Sequence, residues 1–354
     1  MKRVIPKTIR RILLRSPNWV GDAILATPAI RAIRKYFPDS EISILAKPWV
    51  APVFEQSPHV DHVLIYDASG IHKGLKGRLR LIRQIKREGF DLAVLFQNAF
   101  EAALIAFLGR IPIRIGYDTD GRGLLLTHRA KAVRGTKFKG VHEIYYYLGI
   151  ITPFGIPEDG AHLTLNLDKE ADYRGDKLLE KFGFNAKDKI VGISPGATYG
   201  SAKRWFAERF GALADKIYDC YGSSILIFGA PGESDIAEET KKAMHTPAVN
   251  LCGKTSLCEA MALIRRCCLF ITNDSGLMHI ASALDVPLIA IFGPTNSKTT
   301  GPVGAKSRIV QVAVECSPCL KPECPTDHRC MKDITVDMVF DALYRKALDE
   351  NSDH

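Results

Sequence analysis

One junction between a strand and a helix places a carboxylate where it could take a proton from a hydroxyl group. The segment RSPNWVGDAILATPAI (residues 15–30) leaves an apolar strand, turns at Gly21 and puts Asp22 at the start of a helix. Parallel α/β folds bind ligands at this end of their strands, so Asp22 could act as a general base. The alternative is an ordinary first-turn carboxylate stabilised by the helix dipole. The segment matches neither the dinucleotide-binding glycine pattern nor the P-loop pattern.

A second junction combines a glycine turn with two cations. In SPGATYGSAKRWF (194–206) the chain leaves a strand at Gly196 and reaches Lys203, Arg204 and Trp205 at the entrance of the next helix. Backbone amides at a helix start and a nearby ammonium group both attract an anion. The pattern therefore predicts phosphate binding. A basic helix cap over a stacked tryptophan is the alternative.

Two further junctions carry groups suited to a nucleotide. In IFGAPGESD a strand runs into a turn with Glu233, and a carboxylate there can accept hydrogen bonds from ribose hydroxyls. In FITNDSGLMHIASALDVPLIAIFGPTN (270–296) the amides of Ser275 and Gly276 could bind a pyrophosphate, and His279 lies one turn into the helix. A turn glutamate, a plain helix cap and a core histidine are the respective alternatives.

Four cysteines near the end of the sequence could hold a metal ion. They occur within 15 residues, with His328 nearby. These cysteines are Cys316, Cys319, Cys324 and Cys330. Four thiolates can bind Zn²⁺ tetrahedrally, although only the first spacing is that of a usual zinc knuckle. Free or oxidisable thiols are the alternative.

The elements that would position these groups are short apolar strands alternating with amphipathic helices. Candidate strands in the first part of the chain are 12–15, 41–46, 62–67, 91–97 and 113–117. Helical patterns cover residues 23–37 and 78–89, and a polar, loop-like stretch follows around residues 153–176. Candidate strands in the second part are 189–194, 223–229, 248–252, 268–273 and 287–293. This alternation predicts two doubly wound parallel α/β domains, with a ligand cleft between them at the carboxyl ends of the strands.

Charge is unevenly divided along the chain. Residues 1–140 contain 25 Lys and Arg against 11 Asp and Glu, a net +14, whereas the whole chain of 354 residues carries +9. A basic field attracts polyanions such as nucleic acid or an anionic membrane, although a solvated basic face would have the same composition.

The N-terminus lacks the apolar core of a signal peptide, and nine cysteines in this length are not a secreted disulfide framework. The apolar window 92–109 is interrupted by Gln97, Asn98 and Glu101, so it predicts a buried strand and helix.

The motifs together resemble a known family. NWVGDAILATPAI, SPGATYGSAKRW, NDSGLMHIASALDVPLIAIFGPT and CSPCLKPECPTDHRCM, in this order, are similar to the ADP-heptose:lipopolysaccharide heptosyltransferases of glycosyltransferase family 9, nearest to the heptosyltransferase II branch. The likeness spans roughly residues 10–345. It implies a GT-B fold of two Rossmann-like domains facing a central cleft. In that fold residues 1–168 would bind the acceptor and 169–334 the nucleotide sugar, while 335–354 would hold a last helix (about 335–348) that crosses back.

The resemblance also implies roles for individual residues. Asp22 matches the family's proposed general base, and Lys203 matches the lysine that contacts the donor phosphate and stabilises the leaving ADP. The implied donor-binding residues are Thr198, Lys203, Glu233, Asp274, Ser275, Gly276 and His279. Enzymes of this kind invert the anomeric centre and need no metal or cofactor. The four cysteines receive no role from the resemblance.

The implied reaction is transfer of L-glycero-D-manno-heptose from ADP-heptose to the first heptose of the lipopolysaccharide inner core (Hep-Kdo2-lipid A). This phosphorylated lipid A-core acceptor is anionic, so basic residues of the first domain could bind its phosphates or the lipid surface. The candidates are Lys73, Lys76, Arg78, Arg122, Arg129, Lys131, Lys137 and Lys139. Among them Arg122, Lys137 and Lys139 are predicted acceptor-binding residues. We expect a cytoplasmic enzyme in peripheral contact with the inner membrane.

Two alternatives stay open at this point. The first is another lipopolysaccharide-core glycosyltransferase of the same family, with a different acceptor or nucleotide sugar. The second belongs to another class, a zinc-bearing basic protein that binds nucleic acid. No RNA- or DNA-binding motif is recognisable in the sequence, so we expect no nucleic acid partner.

Overall fold

The structure is a computed structural model, and it describes residues 4–131, 140–185 and 188–343. The chain divides into two compact units, Met1–Asn166 and Leu167–His354. Each unit is described by itself below. Among the described residues, no helix is both long enough and apolar enough to cross a membrane.

The described part of the first unit contains one sheet of six parallel strands. They are β1 (Arg11–Arg15), β2 (Glu41–Ala46), β3 (His62–Ile65), β4 (Leu92–Leu95), β5 (Ile113–Tyr117) and β6 (His128–Ala130). Their order across the sheet is β3-β2-β1-β4-β5-β6, that of a doubly wound fold whose direction of strand addition reverses between β1 and β4. All five strands predicted from the sequence are confirmed. The short strand β6 was not predicted.

Five α-helices accompany this sheet in the described residues. They are α1 (Val20–Leu25), α2 (Thr27–Tyr36), α3 (Gly74–Glu88), α4 (Phe100–Leu108) and α5 (Glu143–Leu148). The prediction of one helix over residues 23–37 is wrong, because α1 and α2 are separate helices. Pro28 has no N–H to donate to the carbonyl of Ile24, and the Thr27 hydroxyl donates to that carbonyl instead (2.7 Å).

One core cluster of the first unit lies between the sheet and α3. Leu13, Leu45 and Leu95, from three adjacent strands, share one apolar cluster with Leu81 and Ile85 of α3. Strands covered by helices on both faces are apolar throughout, as the nearly continuous hydrophobic runs of this sequence are. This packing fixes the strand ends and therefore the loops that follow β1, β2 and β4.

The described part of the second unit repeats the arrangement of the first. Its strands are β7 (Ile190–Ser194), β8 (Ser224–Ile227), β9 (Ala248–Asn250), β10 (Leu269–Asn273), β11 (Leu288–Phe292) and β12 (Ser307–Gln311). They are parallel, in the order β12-β11-β10-β7-β8-β9, so the reversal lies between β7 and β10. The five predicted strands are confirmed. The edge strand β12 was not predicted, because its sequence SRIVQ is largely polar and exposed.

Eight α-helices belong to the second unit in the described residues. They are α6 (Lys169–Lys181), α7 (Ala207–Tyr221), α8 (Ser234–Lys242), α9 (Leu257–Arg265), α10 (Gly276–Ala283), α11 (Ser297–Thr300), α12 (Arg329–Lys332) and α13 (Val336–Asp341). The prediction of a loop-like stretch up to residue 176 is wrong from Lys169 onward, because Asp168 caps the start of α6. α13 packs on α7, where the Lys216 ammonium binds the Asp337 carboxylate (2.6 Å). The rest of the predicted last helix, beyond residue 343, lies outside the described residues.

Trp205 is a core residue of the second unit. Its side chain is fully buried, and its ring meets Phe210 edge-on with centroids 5.1 Å apart. The indole N–H donates to the carbonyl oxygen of Ile334 (3.0 Å). The tryptophan behind Lys203 therefore anchors the loop to the core.

Candidate active site

Asp22 lies in the first turn of α1, directly after the loop that leaves β1. This loop belongs to the switch point of the first sheet, where α/β folds bind their ligands. Asp22 Oδ1 accepts a hydrogen bond from the Tyr147 hydroxyl at 2.8 Å. Within the described residues Oδ2 has no hydrogen-bond donor, and the side chain is partly exposed. One oxygen is thus held in place while the other can accept a proton.

Tyr147 is a site residue that the sequence reasoning missed. It lies on α5, which packs against α1, and its side chain is buried. Burial and the nearby Asp22 carboxylate raise the pKa of the Tyr147 phenol well above its ordinary value, so the hydroxyl stays protonated and donates. The available signal was the run EIYYYL, since a phenol on a buried helix face needs a polar partner.

Arg122 does not face a substrate phosphate, and this corrects the prediction. Its side chain has no exposed surface. The guanidinium donates to the carbonyl of Gln97, to the carbonyl of Tyr117 (2.9 Å) and to Asn98 Oδ1 (2.7 Å). Burial lowers the pKa of Arg122 to about 10. The residue ties the loops after β4 and β5 together.

The other predicted basic residues divide into two groups. Lys137 and Lys139 lie outside the described residues. The remaining five are exposed. These exposed cations are Lys73, Lys76, Arg78, Arg129 and Lys131.

A second group of ionisable side chains lies at the ends of β1 and β2; we call Arg15, Lys47, Tyr66, Arg78 and Glu101 the Tyr66 cluster. The Lys47 ammonium is 3.9 Å from the Tyr66 ring centroid, and the Arg15 guanidinium carbon is 5.5 Å from it. Glu101 Oε1 accepts from the Tyr66 hydroxyl (2.8 Å) and pairs with Arg78 (2.7 Å).

The Tyr66 cluster contains three cations and one carboxylate. Burial lowers the pKa of Arg15 to about 10, and burial and the Arg15 charge lower the pKa of Lys47. An excess of positive charge therefore lies at the same edge of the sheet as Asp22. Of this cluster, the sequence reasoning singled out only Arg78 as a basic candidate.

Lys203 and Asp274 meet in the second unit. Lys203 ends a short 3₁₀ turn (Ser201–Lys203) after β7, and Asp274 directly follows β10. The Lys203 ammonium lies 2.6 Å from Asp274 Oδ2, and the two side chains are only 14% and 7% exposed. The pair lies at the switch point of the second sheet, and Asp22 lies at the corresponding switch point of the first sheet.

The loop after β10 leads into an uncapped helix start. Ser275 precedes α10, which begins at Gly276, and no side chain caps its first-turn amides. Ser275 and Gly276 are partly exposed, so these amides can donate to an anion. His279 is buried one turn further along, and its donor contact stays a prediction.

Asn273 holds this loop against the loop after β7, a role that the sequence reasoning missed. Its Oδ1 accepts from the backbone N–H of Trp205 (3.0 Å), and its Nδ2 donates to the carbonyl of Pro195 (2.8 Å). Asn273 has no exposed surface. Both side-chain groups are therefore used to position the segment that carries Lys203.

Glu233 and Thr198 also lie together. Glu233 Oε2 accepts from the backbone N–H of Ala230 (2.8 Å), and Oε1 accepts from the Thr198 hydroxyl (3.3 Å). A Cβ at Gly196 would lie 2.4 Å from the Glu233 carboxyl carbon, so this approach requires glycine at 196. The two carboxylate oxygens keep lone pairs that can accept further hydrogen bonds.

The four cysteines near the end of the chain share one small cavity. A space of about 160 Å³ is lined by Cys316, Cys319, Cys324 and Cys330, among other residues. Burial and the neighbouring thiols raise the pKa of Cys330 to about 11. Among the described residues, however, no three His, Cys, Asp or Glu side chains are placed to hold a metal ion together. The zinc alternative therefore finds no support.

These arrangements suit the two halves of a transfer reaction. In the first unit a partly exposed carboxylate, held by a neutral phenol, can take a proton from a hydroxyl. In the second unit an ammonium beside unpaired helix amides can stabilise charge on a phosphate. Each arrangement lies at the switch point of its own sheet.

Comparison with known proteins identifies the family to which the chain belongs. The model of glycosyltransferase family 9 (heptosyltransferase) matches residues 78–329. Lipooligosaccharide heptosyltransferase 2 of Haemophilus influenzae is 30% identical over 85% of this chain and 88% of its own length. Lipopolysaccharide heptosyltransferase 2 of Escherichia coli is 28% identical over 97% of this chain and all of its own. The solved structure of E. coli ADP-heptose lipopolysaccharide heptosyltransferase II superposes with a TM-score of 0.81, at 25% identity, over 97% of this chain and all of that one. The predicted resemblance and GT-B fold are confirmed, and the chain belongs to glycosyltransferase family 9, the heptosyltransferases.

Proposed function

We propose that the protein transfers L-glycero-D-manno-heptose from ADP-heptose to the first heptose of the lipopolysaccharide inner core, with inversion at the anomeric carbon. The observation that carries the proposal is the chemistry at the two switch points: a held carboxylate in one sheet, and a lysine beside an uncapped helix start in the other. The relatives named heptosyltransferase 2 indicate which sugar and which acceptor.

Residues 169–334 bind ADP-heptose in this proposal. As the bond between the anomeric carbon and the β-phosphate oxygen breaks, negative charge grows on the leaving ADP. The Lys203 ammonium has three N–H donors; one is directed to Asp274, and the others can reach phosphate oxygens. The amides of Ser275 and Gly276 add two fixed dipoles. These groups bind the leaving group more tightly as its charge grows, which lowers the barrier.

The remaining donor contacts fit the nucleoside. Glu233 is held by Ala230 and Thr198, and its spare lone pairs accept from the ribose hydroxyls. Thr198 is exposed and lies on the loop between β7 and Lys203. Its single O–H would have to leave Glu233 to donate to a phosphate, and among the described residues the Ala230 amide would then hold Glu233 alone.

Residues 1–168 bind the acceptor. Asp22 Oδ2 takes the proton of the attacking heptose hydroxyl while that oxygen forms the new bond to the anomeric carbon. The hydroxyl attacks from the side opposite ADP, so the anomeric configuration inverts. Tyr147 keeps the carboxylate aimed and remains protonated itself.

No metal ion is required in this mechanism. A divalent cation in other phosphate-leaving reactions neutralises the charge of the leaving group. Here the lysine and the helix amides do so, and their positions are fixed by Asp274, Asn273 and the buried Trp205.

The acceptor is anchored in a membrane, so the protein works at the membrane surface. The five exposed cations Lys73, Lys76, Arg78, Arg129 and Lys131 lie in the unit assigned to the acceptor, and they suit its phosphates or anionic lipid. The excess positive charge of the Tyr66 cluster, at the same sheet edge as Asp22, favours a phosphorylated acceptor in the same way.

The test is acceptor-dependent release of ADP. ADP-heptose serves as donor and deacylated monoheptosyl Kdo₂-lipid A as acceptor, in buffer containing EDTA, with the wild type and Asp22→Asn measured side by side. We expect release by the wild type and a loss on the order of 10²–10⁴-fold in the variant, the usual range for a general base. ¹H NMR of the product then reports the anomeric configuration.

Each other outcome contradicts a defined part of the proposal. Equal release by both proteins would remove Asp22 from the mechanism. Release only with another nucleotide sugar or another core acceptor would favour a different glycosyltransferase activity within the family. A requirement for added metal would overturn the role given to Lys203 and the helix amides.

A further inference from the structure

Helix α3 leaves a basic and apolar face uncovered. Only Gly77, Leu81 and Ile85 of this helix are buried, and Leu81 and Ile85 join the core. The remaining surface carries six cations and one acidic residue, Glu88. The cations are Lys76, Arg78, Arg80, Arg83, Lys86 and Arg87, and all six are exposed.

Large apolar side chains are exposed on the same segment. Leu75 is 72% exposed and Leu79 is 38% exposed, and their spacing of four residues puts them on one side of the helix. Ile71, just before the helix, is 60% exposed. Single exposed leucines are ordinary. Three large apolar side chains within nine residues, flanked by cations, form a patch that water solvates poorly.

The cations of α3 are available to an external partner. Within the described residues Arg78 alone of the six is in an ion pair, with Glu101. The other five therefore present uncompensated charge to the solvent. A solvated structural helix usually mixes both signs of charge along its exposed face, which α3 does not do.

We infer that α3 with Ile71, called here the α3 face, docks on the surface of a bilayer rich in anionic phospholipid. The apolar side chains enter the boundary between head groups and acyl chains, while the cations bind lipid phosphates around them. Nucleic acid would account for the charge but not for the exposed apolar side chains of Leu75 and Ile71. This inference rests on the proposed function, because a lipid-anchored acceptor gives the enzyme a reason to bind membranes.

The test is co-sedimentation of the full chain with vesicles made of equal parts phosphatidylglycerol and phosphatidylcholine. We expect binding that falls with added salt and is weak to phosphatidylcholine alone. Arg80→Gln/Arg83→Gln should weaken binding about 25-fold, since each charge near an anionic surface contributes about fivefold. Leu75→Gln should weaken it about tenfold through lost insertion.

Matched controls come from the second unit. Lys241→Gln/Lys242→Gln removes two exposed cations from α8, and Ile309→Gln removes an exposed apolar side chain from β12; neither should change vesicle binding. Equal losses in control and α3 variants, no vesicle binding by the wild type, or α3-dependent binding to single-stranded RNA without vesicle binding would each overturn the inference.

The two proposals fail separately in these experiments. ADP release with the deacylated acceptor needs no bilayer, so the α3 variants should retain it. Vesicle binding without any ADP release would contradict the proposed function, whereas ADP release without vesicle binding would contradict only the docking.

Discussion

Replacing Tyr147 with Phe tests whether a fixed carboxylate carries the chemistry of the first unit. The lost bond joins a buried phenol to an anionic oxygen at 2.8 Å, and hydrogen bonds to charged groups contribute about 1.5–3 kcal/mol. If the whole free energy of this hydrogen bond stabilised the transition state, its loss would lower kcat roughly 10- to 150-fold. Because Asp22 is partly exposed, water replaces part of the bond, and we expect a fall of about tenfold.

The assay is initial-rate ADP release with each substrate varied in turn. KM for ADP-heptose should not change, because Tyr147 belongs to the unit assigned to the acceptor. Tyr146→Phe is the matched control: it makes the same change on the same helix, but the Tyr146 hydroxyl is paired with Asn98. We expect Tyr146→Phe to leave kcat within about twofold of wild type, since it removes no contact to the base.

A double variant separates positioning from a general structural effect. If Tyr147 acts through Asp22, adding Tyr147→Phe to Asp22→Asn should cause almost no further loss of kcat. A full additional tenfold loss in the Asp22→Asn background would refute the reasoning. So would equal losses in Tyr147→Phe and Tyr146→Phe.

Three further predictions concern the second unit, the corrected arginine and metal ions. Lys203→Met leaves the largely buried Asp274 carboxylate without its cation and should destabilise the fold by about 3 kcal/mol. Calorimetry should show that adding Asp274→Asn restores most of the stability but not ADP release; restored release would contradict the phosphate role. Arg122→Met removes three hydrogen bonds from a buried guanidinium and should destabilise the first unit by about 3 kcal/mol in urea titrations. A raised KM for the acceptor, with the stability of the protein unchanged, would instead indicate that Arg122 binds the acceptor. Dialysis against EDTA should leave kcat unchanged, and recovery by one divalent ion after a loss would reveal a metal site.

The strands could be predicted because a strand that is buried on both faces consists of consecutive apolar residues. EISILA coincides with β2 at both ends, and IRIGY coincides with β5. Edge strands have one neighbour and tolerate polar residues, so β6 and β12 carry no such signal. Pro28 was a signal for the break between α1 and α2. The apolar periodicity on both sides of it nevertheless predicted one continuous helix.

The site was harder to predict, because its side chains are defined by partners distant in the sequence. Asp22 and Lys203 could be singled out from local pattern and family resemblance. Their partners, Tyr147 and Asp274, are 125 and 71 residues away. Arg122 shows the same limit: a cation in a polar loop predicts a solvated surface unless the carbonyls that surround it are known.

The proposed reaction would account for the different charge environments of Asp22 and Lys203 at the two switch points. Lys203 and Asp274 show what happens when a cation contacts a carboxylate directly: they pair, and the carboxylate is no longer free to act as a base. Within the described residues Asp22 makes no ion pair, and its hydrogen-bond partner is a neutral phenol. A base must keep its affinity for a proton, and a cation beside it would weaken that affinity. In the proposed mechanism, assigning the base to one unit and the lysine that contacts the phosphate to the other keeps both in the charge state that transfer requires.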